Sequence, residues 1–117
     1  MAQIEFKGTG TVVIVDDETK TITIDRDGTY EALPKQTVIP FDQITGMKYE
    51  PGTAAIGRGT STLVFLYPGA PEVKSMVTDI ATHENLVQFK ARKGTAIEDL
   101  KAMLRPYVVE NRKRLEG

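Results

Sequence analysis

Lys35-Gln-Thr-Val-Ile-Pro-Phe-Asp-Gln-Ile-Thr-Gly-Met-Lys-Tyr-Glu-Pro51 is the stretch in which the chain turns its corner. Val38 and Ile39 form a β-branched run that ends at Pro40, which has no N–H and cannot extend an inner ladder. A short polar turn follows. Ile44, Thr45, Met47 and Tyr49 then open another strand, which Pro51-Gly52 closes. The corner predicts two layers of strands built outward from it and sealed by a C-terminal helix.

Upstream, Gly8-Thr-Gly10 leads into Thr11-Val-Val-Ile-Val15, too short and too β-branched to prefer helix. Asp16-Asp-Glu-Thr19 is turn chemistry, because Asp side chains bond their own backbone. Lys20-Thr-Ile-Thr-Ile-Asp-Arg26 alternates, with Ile22 and Ile24 on one face and Thr21, Thr23 and Asp25 on the other, and pairs as a hairpin with the run before it. The segment from Thr29 to Gln36 is a connection in which Tyr30 and Leu33 cover a sheet end.

Downstream, Thr53-Ala-Ala-Ile-Gly-Arg-Gly-Thr60 is a loose connection, and Ser61-Thr-Leu-Val-Phe-Leu-Tyr67 is apolar on both faces, as a central strand would be. Between Pro71 and Asn85 two readings stand. Val73, Met76, Val77 and Ile80 fall at helical spacing, but the strand Leu86-Val-Gln-Phe89 wants a partner, which favours a strand over Val73–Val77.

The helix is the best-marked element. Thr95-Ala-Ile-Glu98 has the capping-box pattern, and Ile97, Leu100, Leu104, Tyr107 and Val108 recur at helical spacing as one apolar stripe. Arg112, Lys113 and Arg114 lie at its end, as the helix dipole prefers. The pattern predicts a helix of about 18 residues, roughly 27 Å long, bent near Ala102–Pro106 by the proline inside it.

At 117 residues the chain makes one domain, able to bury roughly two-thirds of its unfolded surface. A net charge of −1 excludes the long-range field on which non-specific nucleic-acid binding relies. There is no Cys, hence no disulfide frame and no thiolate nucleophile. The start, Met-Ala-Gln-Ile-Glu-Phe-Lys, has neither a basic nor an apolar leader region, and no stretch reaches the ~20 apolar residues of a membrane span; the expectation is a cytoplasmic protein.

About seven strands in two sheets followed by one capping helix predict a mainly β fold, a pleckstrin-homology-like barrel spanning residues 1–117. Gly10-Thr-Val-Val-Ile-Val-Asp-Asp, Thr21-Ile-Thr-Ile-Asp-Arg26, Thr37-Val-Ile-Pro40, Gln43-Ile-Thr-Gly46 and Glu84-Asn-Leu-Val-Gln-Phe89 resemble, in order, a set of small bacterial and phage-borne domains. That family is catalogued as domain of unknown function four-four-two-nine. The shared residues are those of strands and turns. The chain departs from the family between Pro51 and Phe65, where Ala-Ala-Ile-Gly-Arg-Gly stands in place of an Asn-Gly and an aromatic strand opening. The resemblance implies the fold and a bacterial or phage origin; the family carries no established activity.

No catalytic constellation is legible. His83 is the single histidine, with Asp79 four residues before it, too few ligands for zinc. Ser61 and Ser75 have only His83 as a base and sit in no nucleophile elbow. Gly57-Arg58-Gly59 lacks the helix and Lys-Ser/Thr of a nucleotide cradle. No enzyme, metal or cofactor is expected. The connection carrying Ile56 and Arg58 exposes apolar surface, so the leading reading is a protein-binding module using Ile56, Arg58, Tyr49 and Tyr67, the tyrosines if exposed. A second reading is a weak binder of anionic surfaces through Lys90, Arg92, Lys93, Arg112, Lys113 and Arg114. Ordinary phosphoinositide recognition is not expected, because the first hairpin loop reads Asp16-Asp-Glu-Thr-Lys20 and repels an anionic headgroup. A third is self-assembly into a homo-oligomer through a sheet edge.

Overall fold

The computed structural model describes residues 3–8, 10–28, 31–50, 61–71, 83–89 and 94–116. The first sheet is an antiparallel meander of β1 (Gln3–Gly8), β2 (Thr11–Asp16), β3 (Thr21–Arg26) and β4 (Gln36–Pro40). The second runs β5 (Gly46–Glu50), β6 (Ser61–Leu66) and β7 (Leu86–Phe89), and α1 (Gly94–Glu116) ends the chain.

Alternation sets which side chains face inward. In the first sheet Val13, Ile24 and Thr37 lie across from one another, as do Val15, Ile22 and Ile39, and all six are buried. A one-residue slip would turn both rows out to water, so the register is strongly specified. In the second sheet Leu63, Phe65, Val87 and Phe89 face the same core. Val64 and Leu86, paired on the opposite face, are buried as well, which makes β6 the doubly covered middle strand its sequence predicts.

β1 is an element that the sequence reading missed. Ile4 turns inward between exposed Glu5 and its neighbours, and the strand pairs along its whole length with β2. The strand expected over Val73–Val77 lies outside the described residues, as does Tyr30; Leu33 is half-buried.

The expected barrel is not closed. Among the described residues no strand of one sheet pairs with a strand of the other. At one corner β1 and β7 touch without a ladder, and a Cβ on Gly8 would stand 2.7 Å from the Gln88 carbonyl oxygen. Only a residue with no side chain allows that approach. At the opposite corner β4 and β5 splay apart around a 3-10 turn (Phe41–Gln43), and α1 fills the opening. Ile97, Leu100 and Leu104 enter the common core there, with Tyr107 and Val108 half-buried beyond them.

α1 starts at Gly94 and runs 23 residues, longer than its pattern predicts, or roughly 34 Å at 1.5 Å per residue. Glu98 therefore falls in its second turn; the Thr95 side chain lies outside the described residues. Pro106 sits within the helix on its exposed side.

Candidate functional site

The β4–β5 corner is where sheet, turn and helix are tied together. Pro40, extended at φ −64° and ψ 146°, feeds the 3-10 turn, whose Phe41 N–H donates to the Lys20 carbonyl at 2.9 Å. Phe41 is buried, and its ring lies 4.9 Å from that of Tyr107 at a tilt of 59°. A turn this tight leaves carbonyls unpaired, and α1 takes four of them. Asn111 Nδ2 donates to Phe41 O at 2.9 Å and Ile44 O at 2.7 Å. Arg112 Nε donates to Thr45 O at 2.6 Å, and an Arg114 terminal nitrogen to Asp42 O at 2.6 Å. Asn111 is 3% exposed and continues the apolar stripe of α1 by one more turn. An amide with two N–H groups suits that place, since it satisfies two buried acceptors at once.

Beside this clamp, β5 and α1 leave a groove of about 430 Å³. Met47, Ala102 and Val108 supply apolar surface with the buried Leu104 behind them, and Gly46 lies in the wall. A Cβ on Gly46 would stand 3.0 Å from an Arg112 terminal nitrogen and 3.2 Å from Leu66 Cδ1, so the glycine lets the guanidinium lie close against the strand. Three cations, Lys101, Arg105 and Arg112, line the groove against one carboxylate, Glu98. Lys101 and Glu98 approach to 3.9 Å, an exposed pair of little energetic weight. Among the described residues β5 pairs only with β6.

A second polar cluster holds the far end of the sandwich. Arg26, 7% exposed, continues the inward phase of Ile22 and Ile24. Its guanidinium donates to Pro34 O at 3.1 Å, Thr37 Oγ1 at 2.7 Å and Glu84 O at 2.8 Å, which bridges the first sheet to the turn before β7. The Tyr67 hydroxyl donates to Glu84 Oε1 at 3.0 Å. Burial, and then that bond to Glu84, push the phenol above the ordinary tyrosine range, so it stays a donor. Asn85 Nδ2 donates to Phe65 O at 2.9 Å and Pro71 O at 3.1 Å. These groups bond one another across the sheets, and the cluster is a brace.

The residues singled out from sequence are dispersed. Ile56, Arg58, Lys90, Arg92 and Lys93 lie outside the described residues, as do Asp79 and Ser75. Tyr49 and Tyr67 are half-buried, the Tyr49 hydroxyl donating to Ser61 Oγ at 3.3 Å. Arg112 and Arg114 each hold a corner carbonyl, while Lys113 is exposed. Asp16–Lys20 is the second hairpin connection and not the first, which is Gly8–Thr11 between β1 and β2; overlooking β1 displaced that count by one. The turn itself forms as expected, with Asp16 Oδ1 accepting from Glu18 N at 2.8 Å and Thr19 N at 3.4 Å. Sequence reasoning missed the groove residues Met47, Leu104, Arg105 and Val108. For the three on α1 the signal was available in the flank of the helix stripe, which places apolar and basic groups side by side; Met47, on β5, carried none.

Among the described residues no group of three or more His, Asp or Glu is placed to hold a metal ion, and no helix is long and apolar enough to cross a membrane. No family model, no curated protein and no solved structure matches the chain.

Proposed function

We propose that this chain is a non-catalytic binding module of pleckstrin-homology-like design, and that its working surface is the groove between β5 and α1, occupied by an extended segment of a protein partner. Two antiparallel sheets, four and three strands among the described residues, with a helix in the splayed corner support the design, and kinship with the bacterial and phage family named above belongs to the same proposal. The groove carries the functional reading. It combines an apolar floor, a strand with one edge unpaired among the described residues and a helix wall, which is how folded domains commonly hold short peptides.

The outer face of the first sheet is the competing surface. Ile14, Thr23 and Val38 align there across three strands, and Val38 is 50% exposed. A concavity of about 410 Å³ also opens beside that face at Lys7, Val12 and Asp25, but it lacks the apolar side chains and the helix wall of the β5–α1 groove.

Selection of random ten-residue peptides displayed against the full chain tests the reading, with Ala102→Trp as the control. Ala102 is exposed and lines the groove, so the indole fills the site without disturbing the core. The expected result is enrichment of peptides whose binding Ala102→Trp abolishes. No enrichment, or enrichment indifferent to that substitution, contradicts it.

A further inference from the structure

We infer that the segment this groove takes is acidic: an extended peptide alternating apolar side chains with carboxylates, anchored at Arg112 and Arg105. The inference rests on the groove reading and specifies its ligand.

Arg112 is an arginine held in advance of its ligand. Its Nε is bound to Thr45 O at 2.6 Å and its terminal nitrogens lie against Gly46. Those terminal nitrogens have no hydrogen-bond partner among the described residues, yet Arg112 lines the groove. A guanidinium fixed through Nε presents its remaining N–H groups as a planar fork, the geometry that a carboxylate meets with two parallel bonds. Because the side chain is already ordered, little rotamer entropy is lost when an anion arrives.

Arg105 lies seven residues earlier, about two turns and roughly 10 Å along the helix. It is exposed and makes no ion pair among the described residues. In an extended chain, side chains on one face recur about every 6.6–7 Å; carboxylates on alternate residues fall about 3–4 Å short of that helix spacing, a gap the exposed Arg105 side chain spans. Residues between them face the other way in a strand, toward the apolar floor of Met47 and Val108. Lys101 is half-committed to Glu98, and the rim keeps two cations beyond that pair.

Fluorescence anisotropy with three labelled ten-residue peptides, alternating Val with Glu, Gln or Lys, tests the inference on the full chain. At about 0.15 M salt the Val/Glu peptide is expected to bind at least about tenfold more tightly than Val/Gln, with no detectable binding of Val/Lys. Arg105→Gln, on an exposed side chain, should weaken Val/Glu several-fold and shrink its advantage over Val/Gln. Equal affinity for Val/Glu and Val/Gln, both abolished by Ala102→Trp, overturns the acidic preference and leaves the groove standing. If none of the three peptides binds, the inference and the groove reading fall together. Val/Glu binding that survives both Arg105→Gln and Arg112→Gln overturns the anchor. Displacement of bound Val/Glu by vesicles of phosphatidylglycerol and phosphatidylcholine, but not by phosphatidylcholine alone, would make a lipid surface the occupant and overturn the peptide.

Discussion

Asn111 shows how much one polar side chain can hold. It is buried, and both of its amide bonds end on carbonyls of the corner, so Asn111→Ala strips Ile44 O of that donor and leaves Phe41 O only the long 3.4 Å bond from Ile44 N. Chemical denaturation should register a loss of about 2–3 kcal/mol, and Asn111→Asp should lose more because it buries a charge facing acceptors. Gly8→Ala should also destabilise, by about 2 kcal/mol, since the methyl would press on the Thr11 hydroxyl and on the Gln88 carbonyl, and the backbone oxygen cannot rotate away. Tyr67 sets an alkaline limit. Its folded pKa is raised by burial and by Glu84, so its contribution is fully present below the unfolded phenol value near pH 10 and is lost as pH rises through the folded value. Thermal unfolding from pH 8 to 11 should fall less steeply at its alkaline end in Tyr67→Phe than in the parent. At this scale the sequence was half legible. Arg26 carries the inward phase of its strand and Asn111 that of its helix, but a polar residue in an apolar phase reads as an interruption until its acceptors are known, and those acceptors lie far away in the chain.

At the scale of elements, periodicity foretold most of what formed. The hairpin of β2 and β3, the doubly buried β6 and the apolar stripe of α1 all follow from spacing alone. β1 escaped because its alternation is short and charged, and its inward residues gain burial only after β2 is beside them. Leu104 belongs to the part that was legible: it is 1% exposed in the common core, and Leu104→Ala should cost about 2–5 kcal/mol in urea unfolding. Pro106 is different. It lies exposed within a helix that continues to Glu116, where its ring removes one ladder bond. Pro106→Ala should raise stability by about 1–2 kcal/mol, the helix gain being partly offset by a more flexible unfolded chain.

For the molecule as a whole, one corner is closed by contact at Gly8 and the other is propped open by the 3-10 turn and α1. The same helix that supplies the prop forms one wall of the groove, so stability and binding share a surface. No single motif records this, because β5 and α1 lie far apart in sequence and become neighbours only when the sheets pack. The sequence pointed to connections and exposed charges, whereas the groove is made by tertiary placement of ordinary core-flank residues. The decisive measurement is a backbone amide NMR titration of the full chain with the Val/Glu peptide. The groove predicts shifts concentrated in Gly46–Tyr49 and Lys101–Arg112. Shifts centred on Ile14, Thr23 and Val38, or no shifts at all, would contradict it.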